Sequence, residues 1–268
     1  MTVRHPARTP TIRFDDGAAY ESFMGVWSRL AGERFLDWLS PAPGGRWADI
    51  GCGNGAFTEL LLERAAPTDV QGIDPSEGQI AYARERLETR PVRFEVGTAT
   101  ALPYPDDAFD AAVMALVIFF VPDPTGGVAE MARVVRPGGS VSAYAWDLLG
   151  GGFPYAAVQE EMAALGVQPL GPPSAEASRT EAMRALWAGA GLVGIETHTI
   201  AVQRSFDDFD AFWRIARSGP GIAPQVAAMA EHDGEQLKDR LRARLRPDAD
   251  GRITCGASAN AIQGQVPA

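Results

Sequence analysis

Residues 44–74 read GGRWADIGCGNGAFTELLLERAAPTDVQGID. Apolar residues from Trp47 to Ile50 run up to a glycine cluster and an amphipathic segment follows, which predicts a short buried strand and then a tight turn. Gly51, Gly53 and Gly55 let the chain bend and let a ligand approach bare backbone. The predicted helix, Asn54 to Ala65, carries Phe57, Leu60, Leu61 and Ala65 at helical spacing, with its first N–H groups pointing back into the turn. A second strand, Val70 to Ile73, ends at Asp74, nineteen residues beyond Gly55. Strand, glycine turn, helix, strand and terminal acid form a mononucleotide-binding half of a doubly wound α/β sheet.

The glycine pattern alone does not select the ligand. Gly51, Gly53 and Ala56 satisfy GxGxx[G/A], so a nicotinamide or flavin dinucleotide is open, and Asp74 would serve its ribose equally well. Asp49 shifts the balance. An acid just before the first glycine lies where a pyrophosphate comes closest, and like charges at short range in a low-dielectric cleft are costly. S-adenosylmethionine, with an ammonium, a sulfonium and no phosphate, suits an acid at each end of the turn. Walker-type phosphate binding is excluded, since no Lys follows the glycines.

DIGCGNG, then GIDPS, then GTATALPYPDDAFDAAVMA, then EMARVVRPGG occur in order over about residues 45–146. This series resembles that of the class I S-adenosylmethionine-dependent methyltransferases, especially the branch similar to the quinone-biosynthesis C-methyltransferases. The resemblance implies a Rossmann-like, seven-stranded, mostly parallel sheet whose last strand is antiparallel. It also implies S-adenosyl-L-methionine as cofactor, with S-adenosyl-L-homocysteine as product. In that family the turn after the third strand commonly holds an acid for the adenine amino group; here Thr98 stands there, with Ala99 beside it, so backbone groups are expected to recognise adenine. Many relatives carry a histidine where this chain has Phe119.

The full set expected at the cofactor is Asp49, Gly51, Cys52, Gly53, Asn54, Gly55, Asp74, Pro75, Ser76, Thr98, Ala99, Ala115 at the end of the fourth strand, and Tyr20. Asp49 would act on the methionine ammonium and Asp74 on the ribose hydroxyls, while Pro75 and Ser76 flank adenine. Asp74 could instead cap the following helix, a role Ser76 could fill equally well. No metal-ligand set is assigned.

A chain of 268 residues, 46% hydrophobic and 22% charged, can bury a full core as one domain over 17–268, with residues 1–16 read as a disordered arm without a secretory h-region. Net charge of −10 disfavours nucleic acid as a partner. The longest apolar run, Ala111 to Val121, is too short to span a bilayer. Cys52 and Cys255 suggest no disulfide framework, so a reducing cytoplasm is expected. Ala18 to Leu39 reads as a helix with a break at Gly32; in the resembling family such a segment lies over the cofactor cleft. Further strands are expected at Val92 to Val96, Phe109 to Leu116, Ser140 to Trp146, Leu192 to Val202 and Arg252 to Gln263. The cofactor core occupies 44–149, and helical insertions at about 150–178 and 205–250 are read as a substrate lid.

Methyl transfer requires mainly that an acceptor be held in line with the sulfonium, and such positioning can contribute about 7–11 kcal/mol. Few catalytic residues are therefore expected: Asp123, Tyr20 and Tyr144 are candidates, with Asp123 favoured as a helix cap. His5, His198 and His232 are read as structural or exposed. Met24, Trp27, Phe119, Phe120, Trp146, Phe153 and Trp213 are expected to wall an apolar acceptor pocket, which favours a small aromatic or lipid-like acceptor. A nicotinamide-dependent oxidoreductase and a silent S-adenosylmethionine-binding module are the alternatives.

Overall fold

The computed structural model describes residues 17–168 and 170–268, so the arm expected at 1–16 and His5 lie outside the described residues. The leading segment is one continuous helical run: α1 (Gly17–Tyr20), a π-helical turn (Glu21–Gly25) and α2 (Val26–Leu39). It is followed by β1 (Arg46–Ile50), α3 (Ala56–Ala65), β2 (Asp69–Asp74), α4 (Glu77–Arg86), β3 (Val92–Val96), β4 (Phe109–Ala115), α5 (Pro124–Val134) and β5 (Val135–Trp146). The remainder is α6 (Ala156–Ala164), α7 (Thr180–Gly189), β6 (Val193–Phe206), α8 (Phe209–Ala216), α9 (Ala223–Ala228), α10 (Glu231–Arg244) and β7 (Ile253–Gln265).

The seven strands are ordered β3-β2-β1-β4-β5-β7-β6. Strands β1 to β5 pair in parallel, and β7 pairs antiparallel with both β5 and β6. The expected sheet, with its last strand antiparallel, is the one found. From β1 the chain steps outward to β2, and from β4 it steps the other way to β5. Right-handed crossovers therefore place α3 and α5 on opposite faces. The strand order reverses between β1 and β4, and a crevice opens there at their carboxyl ends.

The leading helix departs from the reading at Gly32. There is no break there; Gly32 is buried within α2, where a Cβ would come 2.9 Å from Leu60 Cδ2 and 3.2 Å from the Tyr144 hydroxyl. The glycine serves close packing, and the irregularity falls about two turns earlier, in the π-helical turn. Tyr155 holds that turn. Its buried hydroxyl donates to the Phe23 carbonyl at 3.0 Å, and its ring stacks on Phe23 at 4.5 Å.

The two insertions grip this segment from outside. Gly219 lies so close to Phe23 that a Cβ would come within 2.3 Å of the ring, and Arg240 of α10 pairs with Glu161 of α6 at 2.7 Å. The ion pair is half-exposed and contributes little; the buried aromatics of α8 carry the attachment. Among the described residues no helix is long and apolar enough to cross a membrane.

Tyr155→Phe keeps the ring stack but leaves the Phe23 carbonyl without its donor. Urea unfolding is expected to show a loss of about 1 kcal/mol with an unchanged m-value.

Candidate functional site

The crevice at the β1/β4 reversal is a cleft of about 870 Å³. Such a volume lies in the range of small-molecule sites, about 300–1,000 Å³. Its floor is the turn between β1 and α3. Gly51 and Gly53 adopt φ of +75° and +52°, conformations that side chains resist. A Cβ on Gly51 would come 2.4 Å from Val117, whereas on Gly53 it would meet nothing nearer than Gln79 Oε1 at 3.9 Å. The Gly53 backbone is thus open to a ligand. Gly55 differs: it precedes α3 at φ +79° and faces Ala83 and Leu87, and it does not line the cleft. Its expected place at the cofactor is corrected to helix packing.

The other twelve residues expected at the cofactor all line this cleft: Asp49, Gly51, Cys52, Gly53, Asn54, Asp74, Pro75, Ser76, Thr98, Ala99, Ala115 and Tyr20. Asp74, at the end of β2, accepts from the Gly53 N–H at 3.0 Å and from the Ser76 N–H at 2.9 Å. A carboxylate can accept about four hydrogen bonds, so bracing the turn is compatible with receiving ligand hydroxyls. Ser76 caps α4 by accepting from the Gln79 N–H at 3.3 Å. Asn54 ties the glycine turn to the leading segment, its amide donating to the Gly17 carbonyl and, at 3.0 Å, to Glu21. Thr98 is exposed and bridges to Ala101.

Asp49 is fully buried at the end of β1. Its Oδ2 accepts from the Thr58 hydroxyl at 2.6 Å, while Oδ1 has no hydrogen-bond partner among the described residues. Loss of hydration raises its pKa to about 7, against the Thr58 bond, which lowers it; nearby Asp74 adds a smaller upward push. A buried orphan acceptor beside open backbone invites a cationic donor.

The catalytic candidates separate. Asp123 lines the rim but caps α5, accepting from the Gly126 N–H at 3.1 Å. Tyr20 lines the cleft and shares a hydrogen bond with Ser28 at 2.9 Å. Tyr144, on β5, also lines it, with its ring fully in the core. His198 stacks on Trp38 at 5.6 Å, and His232 is exposed on α10; neither lines the cleft.

The expected aromatic wall is largely corrected. Only Phe120 lines the cleft. Met24, Trp27, Phe119, Trp146 and Trp213 are buried away from it, and Phe153 packs on Tyr155 at 6.0 Å. Trp27 and Phe153 pack edge-on to Tyr155, and Phe119 packs on Phe120, so their apolar surface is used within the core. The cleft is instead walled by Phe57 and Leu60 of α3, by Leu116, Val117 and Val121 after β4, and by Pro173. Among the described residues Pro173 is the one residue of either insertion that lines the cleft. Leu116 holds φ of +61°, a conformation costly for a branched side chain and concentrated at functional sites. No sequence signal announces it.

A family model described as a methyltransferase domain matches residues 48–143. The ubiquinone/menaquinone biosynthesis C-methyltransferase UbiE of Geobacter sulfurreducens is 37% identical over 102 residues, 36% of this chain and 40% of that protein. Over these residues the chain carries a methyltransferase domain of the class I S-adenosylmethionine-dependent type.

These transferases use S-adenosyl-L-methionine. The match spans less than two thirds of the length of that curated methyltransferase. Two solved structures share the fold: YcgJ from Bacillus subtilis has a TM-score of 0.60 at 19% identity, over 89% of this chain and 98% of that one. A phosphoethanolamine N-methyltransferase of Haemonchus contortus, in complex with S-adenosylhomocysteine, has a TM-score of 0.59 at 18% identity, over 94% and 57%.

The raised pKa of Asp49 fixes the sign of its effect on stability. The folded state holds that proton more tightly than the unfolded chain, so the Asp49 contribution to stability is full below about pH 4 and is lost as pH rises to about 7. Asp49→Asn is expected to raise the unfolding free energy of the ligand-free protein at about pH 8, by up to ~4 kcal/mol, with the gain vanishing near pH 4. Thermal melts across that range measure it.

Proposed function

We propose that the chain transfers a methyl group from S-adenosylmethionine to a small, apolar or aromatic organic acceptor. The observation that carries the reading is the buried, half-satisfied Asp49 carboxylate beside the open Gly53 backbone, with Asp74 across the turn. A phosphate would be repelled there, whereas an ammonium would complete the unpartnered oxygen.

On this reading Asp49 receives the methionine ammonium, Asp74 the ribose hydroxyls, and Pro75, Thr98 and Ala99 border the adenine through apolar and backbone groups. When bound, S-adenosylmethionine supplies a methyl group already activated by its sulfonium. The chain's own part is to exclude water and hold the acceptor in line. Phe57, Leu60, Leu116 and Phe120 supply the apolar walls, and Pro173 covers one side. Residues 17–268 act as one domain, in which the insertion at 150–178 closes the cleft and that at 205–250 clamps the leading segment. Two free cysteines fit a reducing, cytoplasmic setting.

Calorimetry with S-adenosylhomocysteine against NADH tests the reading. Saturable binding of the first alone is expected, and preference for NADH would replace it with the oxidoreductase. Affinity for S-adenosylhomocysteine should rise between pH 6 and 8 as Asp49 ionises, and Asp74→Asn should lower it about tenfold through loss of charge-assisted bonds. Methyl transfer to no member of a broad acceptor panel, despite that binding, would favour a silent module.

A further inference from the structure

One corner of the cleft is built around a phenol that nothing in the fold satisfies. Gly32 of α2, Phe57 and Leu60 of α3 and Tyr144 of β5 converge there: the three nearest neighbours of a Cβ on Gly32 would be Leu60, the Tyr144 hydroxyl and Phe57, at 2.9, 3.2 and 3.3 Å. Phe57, Leu60 and Tyr144 all line the cleft. The Tyr144 ring is stacked on Phe35 at 4.6 Å and packed by Phe57 at 5.8 Å, so its direction is fixed. The residue is 1% exposed, yet its hydroxyl makes no hydrogen bond among the described residues. Burial raises its pKa well above the usual phenol value, with Tyr20 and Asp49 close enough to add to the effect. At neutral pH it is therefore a neutral O–H donor.

A hydroxyl that reaches the cleft with no partner among the described residues is open to a ligand's acceptor atom. Phenylalanine would keep both ring contacts and offer no donor. Glycine at 32 lets α2 pack closely on Leu60 and the hydroxyl, so the backbone of α2 closes one side of this corner. The hydroxyl gains a partner if a ligand atom sits at this corner.

We propose that the corner between α2, α3 and β5 seats the acceptor, and that Tyr144 is a specificity-determining residue whose hydroxyl donates a hydrogen bond to an acceptor oxygen. The acceptor class is then an apolar ring or chain bearing one neutral oxygen, as in a phenol or ketone. Phe57 and Leu60 hold its body. An analogue lacking the oxygen leaves the Tyr144 hydroxyl unpaired and is rejected. This inference rests on the methyltransferase reading, because the corner becomes an acceptor site only beside a bound cofactor.

The test compares p-cresol and toluene, which differ by one hydroxyl, on wild type and Tyr144→Phe, both saturated with S-adenosylhomocysteine. Ligand-observed NMR titration gives the four affinities. Tyr144→Phe should weaken p-cresol about fivefold and leave toluene unchanged, the loss of a single hydrogen bond. Gly32→Ala, which places a methyl group against the hydroxyl, should weaken p-cresol in the same titration. Equal changes for both ligands, no change, or no saturable p-cresol binding to wild type would overturn the proposal. Calorimetry of S-adenosylhomocysteine on the same samples separates this failure from failure of the cofactor reading.

Discussion

The site depends on one buried charge. Asp49 ends a strand covered on both faces, and the fold supplies a single hydrogen bond, from Thr58, to hold it. An isolated carboxylate in that position would take up a proton, and the upward movement of its pKa records that pull. On the proposed function, the ammonium of a methionine moiety is the cation that offsets this charge, and the open backbone at Gly53 leaves room beside it. Stability of the empty protein and affinity of the site are therefore opposed at this residue.

The cleft needs walls, and most come from far along the chain. Asn54 lies inside the glycine turn yet spends its side chain on Gly17 and Glu21, so the floor of the site and the segment above it are joined directly. Arg86 adds to the same junction by pairing with Glu21 and Glu59 at 2.9 and 2.7 Å. Tyr155 fixes the π-helical turn from the opposite side. Residues of the second insertion, such as Gly219, pack on the outside of this segment. The segment is thereby positioned by three distant parts of the chain, while Tyr20 and Ser28 reach the cleft.

The aromatic residues show where reading by composition fails. Trp27, Trp146, Trp213 and Phe119 have the character of pocket residues, and in the fold they are core. Nothing in a local sequence window distinguishes an aromatic that faces a cavity from one that faces another aromatic, because both occupy the apolar side of their element. Tyr144 is the converse case. Its ring is core and only its terminal oxygen reaches the cleft, so the informative atom is the one that the strand pattern hides.

Local order was legible throughout. Apolar runs and glycines separate the elements, and the path from Trp47 through Gly51 and Gly53 to Asp74 specifies a nucleoside site, because each step depends on neighbours within one or two turns of chain. The seven-stranded, mostly parallel sheet was implied by the motif resemblance, and the structure has it. Tertiary structure alone decided which face each aromatic meets, that Gly32 is a packing contact instead of a break, that Gly55 serves a helix interface, that Leu116 is held at positive φ, and that the Tyr144 hydroxyl and Asp49 Oδ1 are left without partners. Those outcomes are set by contacts between residues tens to hundreds of positions apart, and such contacts leave no period in the sequence.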